Sequence, residues 1–186
     1  MNTYIHVNGG RDNNIHDNYI SASDYAIWIP DRSLYNNWAI LDARLAASPY
    51  KTPLWINQYP QLAAPMNNSK WPEGNKIENN VIVSTNSKSG TQIALYSVPT
   101  ASTTIDSNIV WSKSGSPTVR SLFLGGLQKA YVVSKWADWM KLNVEKNSLY
   151  ADPCITINNK QLVSCPTSPI NRIGFAIMPS DIGLIK

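Results

Sequence analysis

Asn14-Ile15-His16-Asp17-Asn18-Tyr19-Ile20 recurs in outline as Lys76-Ile77-Glu78-Asn79-Asn80-Val81-Ile82 and again as Thr104-Ile105-Asp106-Ser107-Asn108-Ile109-Val110. The shared pattern is x-Ile-x-x-Asn-φ-φ, where φ is apolar or aromatic. It predicts a three-residue strand with its central Ile turned inward, a two-residue bend, and a second short strand. Asn closes the bend each time, as a residue that tolerates left-handed backbone angles and bonds locally to the main chain. One such unit cannot bury its apolar face alone, whereas stacked units share a continuous core. Neighbouring units would lie about 4.8 Å apart, close enough for Asn18, Asn80 and Asn108 to bond to one another as a ladder.

The flanking segments extend the pattern. Ala26-Ile27-Trp28-Ile29 follows the first repeat, Gln92-Ile93-Ala94-Leu95-Tyr96 the second, and Val119 to Leu124 the third. Tyr4-Ile5-His6-Val7 precedes them as the equivalent strand of an earlier unit. Alternation directs Ile5, Val7, Ile27, Ile29, Ile93 and Leu95 inward and leaves His6, Trp28 and Ala94 in an outward column. His16, Glu78 and Asp106 form a second outward column, with Glu78 and Asp106 read as solvated. The first two repeats are 62 residues apart and the next two 28 apart, so an insertion spans roughly residues 30–74. Leu34, Trp38, Leu41 and Leu45 share one helical face within it, and prolines from Pro49 onward interrupt the rest. Leaving the strand beside Trp28, the insertion is expected to pack over that sheet. Ser134 to Leu142 reads as a short amphipathic helix, and residues 134–186 as a helix followed by capping structure. The expected fold is thus all-β: a right-handed parallel β-helix of about three to four rungs, with a helical insertion and an irregular C-terminal cap, forming one domain over residues 1–186. Its first residues read as a mid-rung strand, which suggests the C-terminal part of a longer solenoid or self-association through an uncapped N-terminal end.

Composition narrows the function classes. The net charge is +4, and the 16 Lys and Arg are scattered without a run, so no nucleic-acid partner is expected. No apolar stretch approaches the roughly 20 residues of a membrane-spanning helix. The N-terminus lacks the pattern of a signal peptide. Cys154 and Cys165 flank an apparent hairpin, Ile155 to Val163, and either a disulfide or two free thiols satisfies the sequence. No metal-ligand spacing or nucleotide-binding glycine loop is present, and no cofactor is expected. Asn67-Asn68-Ser69 is a glycosylation sequon, meaningful only in a eukaryotic secretory context.

The order of motifs resembles the right-handed parallel β-helix repeat family of the pectin-lyase-like superfamily, near some β-helical glycoside hydrolases. The residues that carry the likeness are His6-Val7-Asn8-Gly9-Gly10-Arg11-Asp12-Asn13, the asparagine repeat, Ala26-Ile27 with Arg32, Pro49 to Leu54-Trp55, Tyr59-Pro60-Gln61-Leu62 and Pro72-Glu73-Gly74-Asn75. Trp139, Asn147-Ser148, Ala151-Asp152-Pro153, Ser168-Pro169, Gly174-Phe175 and Asp181 to Leu184 continue it to the C-terminal end. The chain departs from the pattern in having Cys154 after Asp152-Pro153, and Asp31 displaced by one position beside Arg32, which on a strand turns its side chain to the other face. The resemblance implies an extracellular protein whose partner is a polysaccharide.

Glycoside hydrolysis needs two carboxylates about 5–9.5 Å apart. Lyase chemistry needs a base and a positive charge near a uronate carboxylate. Asp12, Asp24 and Asp31 are the catalytic candidates, and His6, Arg11, Trp28 and Arg32 the substrate-binding ones. Each has a plainer reading: turn carboxylates for Asp12 and Asp24, a helix cap for Asp31, a surface β residue for His6, local ion pairs for the arginines, and packing beneath the insertion for Trp28. Three functions are consistent with these residues: a carbohydrate-active hydrolase or lyase, a non-catalytic carbohydrate-binding or surface-interaction module, and a truncated remnant without independent activity.

Overall fold

The computed structural model describes residues 3–8, 10–23, 25–29, 38–60, 72–85, 93–98, 102–112, 119–124, 130–133, 136–141 and 145–177. Each sequence repeat forms two short strands: β2 (Asn14–His16) and β3 (Tyr19–Ala22), β5 (Lys76–Glu78) and β6 (Val81–Ser84), β8 (Thr104–Asp106) and β9 (Ile109–Ser112). Their registers are those of the sequence alignment, with Ile15 opposite Ile77 and Ile77 opposite Ile105 in one parallel sheet. Tyr19 pairs with Val81 and Val81 with Ile109 in a second parallel sheet. That second sheet ends on β12 (Leu149–Tyr150), in the order β12-β9-β6-β3.

A third sheet has the order β1-β4-β7-β10-β11, from β1 (Thr3–His6), β4 (Tyr25–Ile29), β7 (Ile93–Val98), β10 (Val119–Leu124) and β11 (Ala130–Val133). Its first four strands run parallel, whereas β11 returns antiparallel to β10. Ile93 and Leu95 stand opposite Ile27 and Ile29, as alternation requires. The remaining strands, β13 (Ile155–Asn158) and β14 (Gln161–Ser164), make an antiparallel hairpin. Its turn is the left-handed pair Asn159 and Lys160, and the Cys154–Cys165 disulfide closes its base across a Cα separation of 5.6 Å. Of the two readings open for these cysteines, the bonded one is realised.

The expectation of an all-β, right-handed parallel β-helix is corrected. The described strands form four short, separate sheets with parallel and antiparallel pairing, and these do not close into a solenoid. Three short helices accompany them among the described residues: α1 (Trp38–Ala47), α2 (Pro53–Gln58) and α3 (Trp136–Lys141). Parallel stacking holds in the repeat segments and in the β1, β4, β7 and β10 strands that flank them. The chain reverses at β11 and in the disulfide-bonded hairpin, where turn geometry rather than periodicity sets the pairing.

One core lies between the sheets, built from Ile15, Ile20, Ala22, Ala26, Ile27, Ile29, Ile77, Ile82, Ile105 and Val110, with Trp136 and Met140 of α3 packed against it. Burying each large aliphatic side chain contributes about 1.5–3 kcal/mol, so the central isoleucines carry much of the stack's stability. A second cluster covers the outer face of the β6–β9 pair, where Ile170, Ile173 and Phe175 lie on Val81, Val83 and Ile109. Every residue of β6 is buried as a result, because a strand covered on both faces needs a continuous apolar run.

The insertion carries two of the described helices. The helical spacing starts at Leu34, which lies outside the described residues, and α1 begins at Trp38. Its side chains from Asp42 to Ala47 are exposed, and Leu54, Trp55 and Tyr59 of the α2 region are 77%, 39% and 43% exposed. Among the side chains described from Asp42 to Pro60, only Tyr50 and Ile56 are partly buried. The short prolyl turn Pro49–Lys51 separates α1 from α2, leaving two helices too brief to hold an apolar face by themselves.

Candidate functional site

The bends between paired strands place the polar groups. Asp17, Asn79 and Ser107 hold the left-handed conformation at φ 53°, 56° and 53°. The expectation that the following Asn takes that conformation is corrected: the first bend residue turns the chain, and the Asn points inward. Asn18 Nδ2 donates to Asn80 Oδ1 at 2.9 Å, and Asn80 Nδ2 donates to Asn108 Oδ1 at 3.1 Å. The main-chain N–H groups of Asn18 and Asn80 donate to the same two oxygens. Because an N–H can only donate, these bonds fix which amide atom is oxygen.

The column ends on Glu145 and Ser148, both buried. Asn108 Nδ2 donates to Glu145 Oε1 at 3.1 Å, Asn108 N–H donates to Ser148 Oγ at 2.9 Å, and Ser148 Oγ donates to Glu145 Oε1 at 3.1 Å. Nothing in the repeat signals this end, since Glu145 and Ser148 sit where the pattern has lapsed. The repeat also leaves a second column unannounced. Asn13 Nδ2 donates to Asn75 Oδ1 at 2.8 Å, and Asn75 Nδ2 donates to the carbonyls of Gly10 and Pro72. Extending the first two repeats upstream at the same 62-residue offset reveals this pair. Thr103 takes the third position, and its Oγ1 is buried without a hydrogen-bond partner among the described residues.

The outward groups divide unevenly. His6 and Trp28 stand opposite each other on β1 and β4, and their rings stack at 4.4 Å with only 5° between planes. Tyr25 lies behind Trp28 at 6.1 Å. His6 is exposed, Trp28 half-buried and Tyr25 buried, so the stack runs from solvent toward the core. Strand pairing creates this arrangement, because cross-strand neighbours in one register face the same side of the sheet.

Arg11 donates to Glu73 at 3.0 Å, joining the turn before β2 to the turn before β5. Asp12 is exposed, with φ 56°, and its N–H donates to Glu73 O. Its carboxylate lies over Gly74, itself left-handed at φ 72°, and a Cβ at Gly74 would collide with Asp12 Oδ1. Asp24, Asp31 and Arg32 fall outside the described residues. The structure therefore brings His6 and Trp28 together and ties Arg11 into an ion pair, but joins no pair from the three candidate aspartates among the described residues. Asp106, read as solvated, instead accepts from Asn147 N–H and Nδ2, both at 2.7 Å, and anchors the segment after α3.

Burial pushes the Tyr19 hydroxyl above its ordinary range, with the nearby Asp152 charge adding to the effect. Tyr150 is raised by burial against the opposing effect of its bond to Ser112 O. Tyr19 packs on the cluster of Ile170, Ile173 and Phe175, and Tyr150 lies against Trp111 and Trp136. Among the described residues no group of three His, Cys, Asp or Glu side chains could hold a metal ion, and no helix is long and apolar enough to cross a membrane. No family model matches the sequence, and no curated protein or solved structure matches it.

Proposed function

We propose that the protein binds polysaccharide through the aromatic face of β1 and β4, as a carbohydrate-binding or surface-interaction module. The supporting observation is the parallel His6–Trp28 stack, whose exposed imidazole end presents a flat apolar and polar surface. A pyranose ring carries one face of C–H bonds that packs on such a surface, while its hydroxyls seek polar neighbours. The order of motifs, similar to that of polysaccharide-active proteins, supports the same substrate class. Hydrolysis would require a second carboxylate in range of the first. Asp12, the described member of the candidate set, is instead occupied with the turn over Gly74. The Cys154–Cys165 disulfide favours an oxidising, extracellular setting for this activity.

Affinity electrophoresis over plant, algal and animal polysaccharides tests the reading. The intact chain is expected to be retarded by at least one of them. His6→Ala, at an exposed position, should weaken retardation by about tenfold, the cost of one stacking contact of about 1.4 kcal/mol. Unchanged retardation in His6→Ala and Trp28→Ala would overturn the site. Release of reducing ends or of unsaturated products would replace binding with catalysis.

A further inference from the structure

The hairpin of β13 and β14 pairs with no further strand among the described residues. Its ladder runs only from Ile155 opposite Ser164 to Asn158 opposite Gln161. Thr156, Ile157, Asn158, Gln161 and Val163 are exposed, while Ile155 and Leu162 pack on the apolar cluster that covers Val81, Val83 and Ile109. Cys154, Asn159 and Lys160 are left-handed at φ 49°, 47° and 66°. Such angles are unfavourable for any residue with a Cβ, least so for Asn. An isolated two-stranded hairpin is marginal in water even without them. Its closure therefore rests on the Cys154–Cys165 bond, which joins the two ends across a sequence separation of 11. Closing a loop of that length shifts the equilibrium toward the closed hairpin by about 100-fold. The segments on either side are held by other contacts. Ile170, Ile173 and Phe175 are buried, and Phe175 N–H donates to Ile170 O. The asparagine ladder closes on Glu145 and Ser148, before the hairpin begins.

We infer that this hairpin is a thiol-operated latch, opened by exchange of the Cys154–Cys165 disulfide with an external dithiol while the stack beneath stays folded. Cys154 is exposed and Cys165 half-buried, so the attacking thiolate arrives at Cys154 Sγ. A mixed disulfide forms there, and the Cys154–Cys165 bond breaks with its electron pair passing to Cys165 Sγ. Thr167 Oγ1 lies 3.3 Å from that sulfur, and its hydroxyl can turn its proton to the departing thiolate. The second thiolate of the dithiol then attacks the dithiol sulfur of the mixed disulfide and releases Cys154. The dithiol is oxidised to a disulfide, and the electron pair and protons it gives up leave both cysteines as thiols. Once open, the hairpin withdraws Ile155 and Leu162 from the cluster over β6 and β9, and the Asn159–Lys160 turn is free to extend. Opening is local, because the groups that hold the ladder and the turn at Ile170 are untouched by the exchange. In an oxidising setting the latch rests closed, and arrival of a dithiol is the trigger.

Cleavage after Lys160 reads the state of the latch, because a tight left-handed turn must open before a protease can take it as an extended segment. The intact chain is treated with a lysine-specific protease, with and without dithiothreitol. Cleavage after Lys160 is timed by mass spectrometry against cleavage after Lys76 in β5. Reduction is expected to speed the Lys160 cut by about 100-fold and to leave the Lys76 cut unchanged. A Cys154→Ser/Cys165→Ser chain should be cut at the faster rate with or without dithiothreitol. Thr167→Val should slow reduction itself by about threefold or more, measured as release of thiols to a chromogenic reagent. An unchanged reduction rate there would strike out the hydroxyl's part in the exchange. Equal Lys160 rates before and after reduction would refute the latch. Equal acceleration at Lys76 would do the same, since the whole fold then yields rather than the hairpin, and so would two free thiols in the untreated chain. These last three readings use the unaltered chain, so a double-serine variant that fails to fold leaves the test decisive.

Discussion

The two asparagine columns run side by side through the same stack and end differently. The inner one, Asn18–Asn80–Asn108, passes its donors from unit to unit and finishes on a buried carboxylate and hydroxyl. The outer one, Asn13–Asn75, stops at Thr103, whose hydroxyl lies buried and unbonded among the described residues. Both occupy equivalent bends, both have buried central members, and both are reached by the same 62-residue step. What separates them is side-chain reach. An amide offers an acceptor and two donors at the end of a longer arm, whereas a threonine hydroxyl is held close to the backbone and offers one donor. Stacking therefore tolerates loss of the ladder where apolar packing persists, as Ile77 over Ile105 does beside Thr103.

The sharpest way to break this comparison is Asn80→Leu. The substitution keeps the branched four-atom outline of the side chain but strips Asn18 N–H of its acceptor and Ile15 O of a donor, at the contact between the first and second repeats. Each buried group left unmet costs about 1–3 kcal/mol, so the loss should reach about 3 kcal/mol or more in denaturant unfolding, with the midpoint falling accordingly. A loss below about 1 kcal/mol would mean that the ladder is decoration on an apolar core. The comparison is sharpened by Thr103→Asn, which completes the outer column by giving Asn75 a side-chain oxygen in the next unit. A gain of about 1 kcal/mol is expected from one net hydrogen bond and relief of the unbonded hydroxyl, seen as a rise in thermal midpoint. The smallest effect belongs to the bend. Ser107 adopts φ 53° where Asn79 and Asp17 stand in the equivalent units. Ser107→Gly should therefore be neutral or stabilising by up to about 0.5 kcal/mol, because glycine reaches the left-handed region without the steric cost of a Cβ. A clear destabilisation would show that the serine side chain, rather than the backbone angle, holds that turn.

Much of the local architecture was legible in the residues. The pairing of Ile15, Ile77 and Ile105, the contact of Asn18 with Asn80 and Asn108, and the opposition of His6 and Trp28 all arise from a common offset and from alternation. The left-handed bend position lies one residue earlier than the pattern suggests, because Asn suits both a left-handed turn and an inward amide, and only the backbone angles separate those roles. The candidate site was legible in part. The aromatic pair could be read from strand register, whereas the Arg11–Glu73 ion pair and the seat of Asp12 over Gly74 depend on two turns 62 residues apart meeting edge to edge.

By itself the sequence determined which segments repeat, which side chains turn inward, and which residues meet across neighbouring strands, because period and offset act through local geometry. Only the tertiary structure decided how the sheets end. The antiparallel return of β11, the disulfide-bonded hairpin and the burial of Glu145 against Asn108 each depend on groups outside the repeat satisfying one another's bonding. No periodic pattern encodes such a meeting, since its energy arises only once both partners have left water.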